Sequence, residues 1–183
     1  MGFEIETCEA RVRLNASGSI RPRTHMVLTV LCNDRQWLAD VGFGGDGLVE
    51  PIAVDSTCVE QAGVVYRVMP EQSLRVLQRQ VRGGWEDLYA VLPDSVFAID
   101  FECGNWYTST HPTSPFVQTL TAQRIVGDSR HVLRNLTYSV QRGQEVMTRE
   151  ITRGELIPLL RDTFDLDVPD GAQFHALDAS TRK

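Results

Sequence analysis

The chain has 183 residues, 42% of them hydrophobic and 23% charged, with a net charge of −6. That is room for one large domain or two small ones with a sizeable core. Lys183 is the only lysine, no basic cluster exceeds Arg21-Pro-Arg23, and no apolar run nears the roughly 20 residues of a membrane span, so neither nucleic acid nor a membrane is expected as a partner. The cysteines at 8, 32, 58 and 103 show no CxxC and no regular spacing. This argues against zinc and against a disulfide scaffold, and fits a reducing cytoplasm; no metal is expected. The start, Met-Gly-Phe-Glu-Ile-Glu, lacks the basic and apolar regions of a signal peptide.

Residues 3–14 alternate as a strand, with Phe3, Ile5 and Thr7 on one side, then Val12 and Leu14 after a shift of phase. A strand that starts so close to residue 1, with no capping element before it, hints that a preceding part is missing. Asn15 to Ser19 reads as a turn and Pro22 as the entry to a hairpin. Its first arm runs from His25 through a β-branched, apolar stretch to Leu31; Asn33-Asp34 is the tip, and the second arm runs from Gln36 into Val41. If Asn33-Asp34 is a two-residue loop, Cys32 faces Arg35, Val27 faces Asp40 and Gly42 faces His25. The period of two then turns His25, Val27, Asp40 and Gly42 to one face, with His25 and Asp40 as diagonal neighbours. A His beside an Asp on a sheet is either a structural pair or two thirds of a nucleophilic triad, and the pairing alone leaves both open.

Beyond Gly47, a short extended piece over 48–52 and strands over 64–69, 74–81 and 85–91 read as an antiparallel meander or small barrel. Weak helical spacing covers 94–105, while Asn105 to Phe116, rich in turn formers, reads as loop. Residues 116–125 allow a strand or a short helix. A strand over 133–140, a turn at Arg142-Gly143 and a strand over 146–151 form a hairpin. Thr152 and Glu155 have capping-box spacing ahead of Leu156, Leu159, Leu160 and Phe164, and Pro158 predicts a later helix start or a kink. Composition from Asp170 onward is tail-like.

His25, with Asp40 15 positions on, the run Asp40-Val-Gly-Phe-Gly-Gly, and Asn105-Trp-Tyr followed by Ser109 and His111-Pro-Thr-Ser-Pro-Phe together resemble the arylamine N-acetyltransferase family. In that family acetyl-CoA acylates a cysteine, and the acetyl group passes to an arylamine, arylhydroxylamine or arylhydrazine. The resemblance implies an α+β, cysteine-protease-like fold: a small antiparallel β-barrel over 1–107, a connecting segment over 108–127 and a C-terminal β-hairpin/helix lid over 128–183. It gives His25 and Asp40 catalytic roles, matches Phe43 to a residue lining the acceptor pocket, and extends that role to Phe116 and Val12. It also implies acetyl-CoA as acyl donor. Gly42, Gly44 and Gly45 either let backbone approach that cofactor closely, with N–H groups meeting its pyrophosphate or an oxyanion, or form a tight turn. The family's cysteine sits in an upstream Arg-Gly-Gly-x-Cys segment of an N-terminal helical domain that is not found in these residues. The expectation is therefore a truncated member, inactive alone and prone to self-association through the surface that domain would cover. Two alternatives stand: a non-catalytic CoA- or partner-binding module, and an unrelated His–Asp hydrolase using Ser109 or Ser114.

Overall fold

The structure, a computed structural model, describes residues 2–16, 18–45, 47–143 and 145–179. The readings of the start and of the last four residues as tail therefore lie partly outside the described residues. The chain divides into two compact units, residues 1–106 and 107–183.

The first unit is built on one antiparallel sheet: β1 (Glu4–Val12), β2 (His25–Cys32), β3 (Arg35–Ala39), β4 (Ile52–Ala53), β5 (Val59–Gln61), β6 (Val64–Glu71), β7 (Leu74–Val81) and β8 (Gly84–Val91), in the order β4-β3-β2-β1-β8-β7-β6-β5. β4 and β5 are the two edges of that sheet, yet only residues 54–58 separate them in the chain. Laid flat, eight strands span roughly 34 Å, and the link from Ala53 to Val59 reaches only about 21 Å. The sheet must curl, and the bond from the Val68 amide to the Ser56 carbonyl (2.8 Å) draws the edges towards each other. The result is a nearly closed barrel within an α+β fold.

The barrel interior is filled by Cys8, Ala10, Val27, Leu38, Ile52, Tyr66, Val68, Leu77, Leu88, Tyr89 and Val91. The inward phase of β1 is thus Cys8, Ala10, Val12 without a shift, while Phe3 and Ile5 are exposed. This corrects the sequence reading, which weighed the apolar residues of the strand's first half and overlooked that Cys8 and Ala10 are small enough for a crowded barrel wall. The following helix α1 (Ala98–Thr110) also differs from expectation: Asn105 to Thr110 is helical, not loop. Asp100 closes the start by accepting from the Phe97 amide (2.9 Å), and the helix runs until His111-Pro112. The helix-averse Asn, Thr and Ser each cost well under about 1 kcal/mol.

In the second unit a short helix α2 (Pro115–Gln118) precedes a four-stranded meander of β9 (Thr121–Val126), β10 (Ser129–Arg134), β11 (Thr137–Arg142) and β12 (Glu145–Glu150). The single strand expected over 133–140 is broken at Asn135, which takes φ 54° and exchanges two hydrogen bonds with Leu120. Asn tolerates that left-handed conformation, so a turn forms without glycine and the expected lid hairpin is a four-stranded sheet. Helix α3 (Arg153–Asp162) packs Leu156 and Leu160 against Ala122, Leu133 and Ile151. Its capping box at Thr152 and Glu155 is formed, and the helix carries Pro158 inside it instead of starting later. We expect Thr152→Ala to destabilise α3 by about 1 kcal/mol, read as faster amide exchange over 155–162. The stretch after Asp170 is no loose tail as far as it is described: it forms α4 (His175–Ala179) and buries Leu177 in the core of this unit.

Candidate functional site

The β2–β3 hairpin turns through Asn33 and Asp34, both left-handed (φ 51° and 57°), the conformation that matches strand twist in a two-residue loop. The pairing runs from Cys32 opposite Arg35 to Leu28 opposite Ala39. One further step sets Asp40 across from Val27, on the face of His25. There the His25 Nε2 and an Asp40 carboxylate oxygen are 2.7 Å apart, with the Asp40 side chain fully buried and that of His25 11% exposed. The imidazole is held on one nitrogen by a carboxylate that cannot move.

Asp40 cannot move because its other oxygen, Oδ1, accepts from the amides of Gly42 (2.9 Å) and Phe43 (3.1 Å). Burial pushes this carboxyl up, but the His25 ring and the Gly42 amide outweigh it and hold Asp40 below the usual carboxylate range. The glycine run therefore wraps the carboxylate. The Gly42 amide, expected to meet a cofactor phosphate, is instead spent on Asp40. Gly44 takes φ 88° and its carbonyl accepts from the Gly47 amide (2.8 Å), which ties the two glycines together. A Cβ on Gly47 would lie 2.9 Å from the Phe43 Cβ and 3.1 Å from the Gly44 carbonyl oxygen. We expect Gly47→Ala to displace Phe43 and to cost about 1–3 kcal/mol, checked by urea unfolding and by the ring shifts of Phe43 and His25.

Three rings close around one another here. His25 lies 5.4 Å from Phe43, edge-on, and 5.0 Å from Tyr89, and Phe43 lies 5.3 Å from Tyr89. Val12 is opposite Tyr89 on β1, and Phe43 packs against the barrel core. Tyr89 is fully buried, and among the described residues its hydroxyl has no partner of ordinary hydrogen-bond geometry. Burial and the adjacent Asp40 charge push the phenol well above its usual range, so it stays neutral and acts as a dipole beside the carboxylate. Sequence reasoning missed Tyr89, because strict alternation from Trp85 and Asp87 would turn it outward.

No thiol meets His25. Cys8 lies on the inner face, but its Sγ leans to the Thr29 hydroxyl (3.9 Å), beyond Val27 from His25, and burial pushes its thiol up. Cys32 ends β2 at the far end from His25, roughly 23 Å of extended strand away. Cys58 and Cys103 are exposed. Among the described residues the one hydrogen bond of the His25 ring is to Asp40. α1 does pass close to the site: a Cβ on Gly104 would lie 3.3 Å from the Arg23 carbonyl oxygen, two residues before His25.

Two further expected residues lie in the second unit. Phe116 is exposed on α2. Ser114 is buried, donates to the Thr108 carbonyl (2.6 Å) and caps α2 through the Phe116 amide, so it is a structural hydroxyl and no nucleophile. His111 stacks on Tyr107 and is bonded to Thr113, a turn built locally.

The chain is similar to several known proteins. A family model described as N-acetyltransferase matches residues 1–173. An arylamine N-acetyltransferase of Mycolicibacterium smegmatis is 35% identical over 93% of this chain and 64% of its own length. The chain thus spans less than two thirds of that relative. Among solved structures, Mycobacterium marinum arylamine N-acetyltransferase in complex with CoA superposes with a TM-score of 0.88 at 29% identity, covering 97% of this chain and 68% of that one. The Salmonella typhimurium arylamine N-acetyltransferase gives 0.87 at 28% identity, covering 98% and 68%.

Proposed function

Because the chain belongs to the arylamine N-acetyltransferase family, we propose that it carries the base and the orienting acid of an acetyl transfer from acetyl-CoA to an arylamine, arylhydroxylamine or arylhydrazine. The observation that carries this reading is the 2.7 Å bond between His25 and the fully buried Asp40. With Nε2 bonded to Asp40, the proton-accepting nitrogen is Nδ1. It takes the proton of a thiol; the thiolate attacks the acetyl-CoA carbonyl, and CoA leaves carrying that proton. The amine then attacks the thioester, His25 accepts the amine's proton and returns it to the departing thiolate. Each half-reaction ends with His25 neutral, as a ping-pong cycle requires.

In this proposal the thiol comes from a preceding Arg-Gly-Gly-x-Cys segment outside the 183 residues, supported by the surroundings of Cys8, Cys32, Cys58 and Cys103 described above. Phe43 and Val12 contact the acceptor; Gly44 and Gly45 contact the CoA. The CoA complex of the Mycobacterium marinum relative supports acetyl-CoA as donor. The chain alone is expected to release no CoA from acetyl-CoA in the presence of an arylamine. Turnover abolished by thiol alkylation would overturn that and point to Cys103.

A binding module without catalysis is the second reading, favoured by exposed apolar side chains at Phe3, Ile5 and Met26 on the barrel, Phe97 just before α1, and Ile99 and Trp106 on it. Light scattering separates the two states of that surface: concentration-dependent association is expected, and a monomer at every concentration contradicts it.

A further inference from the structure

Tyr89 reaches the His25–Asp40 pair only because β8 breaks step. Leu77 of β7 pairs with Tyr89, yet the next residue, Gln78, pairs with Asp87, so Leu88 is one residue too many on β8. Leu88 and Tyr89 are consecutive and both fully buried in the barrel core. In an unbroken strand they would face opposite sides. The bulge lets both point inward, and a strand without it would turn Tyr89 to the outer face of the sheet.

The outer face of the sheet shows what holds the bulge. The Leu88 carbonyl accepts from both the Arg13 (2.8 Å) and Leu14 (3.1 Å) amides, so β1 follows the extra residue. The Arg13 guanidinium makes two bonds to Glu71 (2.7 and 2.9 Å) and one to Asp87 (3.0 Å). Asp87 also accepts from the Gln78 side chain (2.6 Å), whose own oxygen accepts from Arg67 Nε (2.7 Å). The two residues at the register slip, Gln78 and Asp87, are thus tied to each other and to both neighbouring strands.

We propose that this outer-face network is a positioning device: Arg13, Gln78 and Asp87 fix the Leu88 bulge and so keep Tyr89 aimed at His25 and Asp40 from the opposite side of the sheet. None of the three touches substrate. The inference bears on catalysis only through the function proposed above, but its geometry stands without it.

The test reads the His25 ring by NMR while pH is varied, in the 183-residue chain with no substrate. His25 is faced by Asp40 beyond β3, by Tyr89 from β8 and by uncharged Ala10 from β1. The variants are Tyr89→Phe, Asp87→Ala, Gln78→Ala, which removes no charge, and the double variant of Asp87→Ala with Tyr89→Phe. Glu86→Ala, which breaks the Arg79–Glu86 pair on the same two strands outside the bulge, is the control. Asp87→Ala and Gln78→Ala are expected to shift the His25 midpoint in the same direction as Tyr89→Phe, and Glu86→Ala to leave it in place. The double variant should shift it no further than the larger single change, because the network acts through Tyr89. The proposal is overturned if Gln78→Ala leaves His25 as in the wild type, if the two shifts add in full, or if Tyr89→Phe moves nothing. Absence of acetyl transfer would speak only to the proposed function, since no arm of this test depends on turnover.

Discussion

Asp40→Asn is expected to lower kcat about 10⁴-fold in a form of the protein that turns over, with little change in fold. The reason lies in the oxygen that does not touch His25. Oδ1 is fixed by the amides of Gly42 and Phe43, so an asparagine must keep its oxygen there and turn its NH2 group towards the imidazole. His25 Nε2 then has to accept, which leaves the ring proton on Nδ1, the nitrogen that should take the thiol proton. The base is present in the wrong tautomer. A pH signature accompanies the change. The Asp40 carboxyl is held below its unfolded value, so its contribution to stability is complete above about pH 4 and is lost as pH falls through the lower folded value. Asp40→Asn should therefore flatten the acid limb of the unfolding curve. An unchanged limb would mean that the pair contributes nothing to folding.

Tyr66→Ala is expected to be the most destabilising single change in the barrel, by about 3–5 kcal/mol. Tyr66 is the largest wholly enclosed side chain along with Tyr89, and its hydroxyl donates to the Gly47 carbonyl at 3.0 Å. It therefore joins the core to the turn that carries Phe43. Against a typical stability of about 5–15 kcal/mol, that loss leaves the unit marginal. Tyr66→Phe separates the two contributions: the packing survives, the bond to Gly47 goes, and about 1 kcal/mol is expected. Urea unfolding followed by amide exchange in the barrel strands measures both. Equal costs for the two variants would show that the ring contributes nothing beyond its hydroxyl.

What could be read from the chain followed from local rules with strong geometric consequences. Asn33-Asp34 admits a two-residue turn, and that turn alone fixes the register that brings His25 and Asp40 within reach. Thr152 and Glu155 define a helix start by reciprocal hydrogen bonds between near neighbours, and the structure has it. The misreadings share a different origin. Asn105 to Thr110 is helical against its composition, Asn135 turns the chain without glycine, and the stretch from Asp170 packs through Leu177. The last two depend on partners distant in sequence. Tyr89 is the clearest case: the Leu88 bulge that turns it inward is held by Arg13, which lies 74 positions from Asp87 in the chain. No periodicity within β8 signals it. Gly42 shows the reverse error, since a glycine expected to present its amide to a ligand turned out to serve the carboxylate two residues before it.

The most direct test of the account joins the 183 residues to a preceding segment carrying Arg-Gly-Gly-x-Cys and measures CoA release from acetyl-CoA with an arylamine present. The predicted result is no turnover by the 183 residues alone, turnover by the joined protein, and loss of that turnover on His25→Ala or Asp40→Asn. Turnover that survives His25→Ala in the joined protein would contradict the central claim that this histidine is the base.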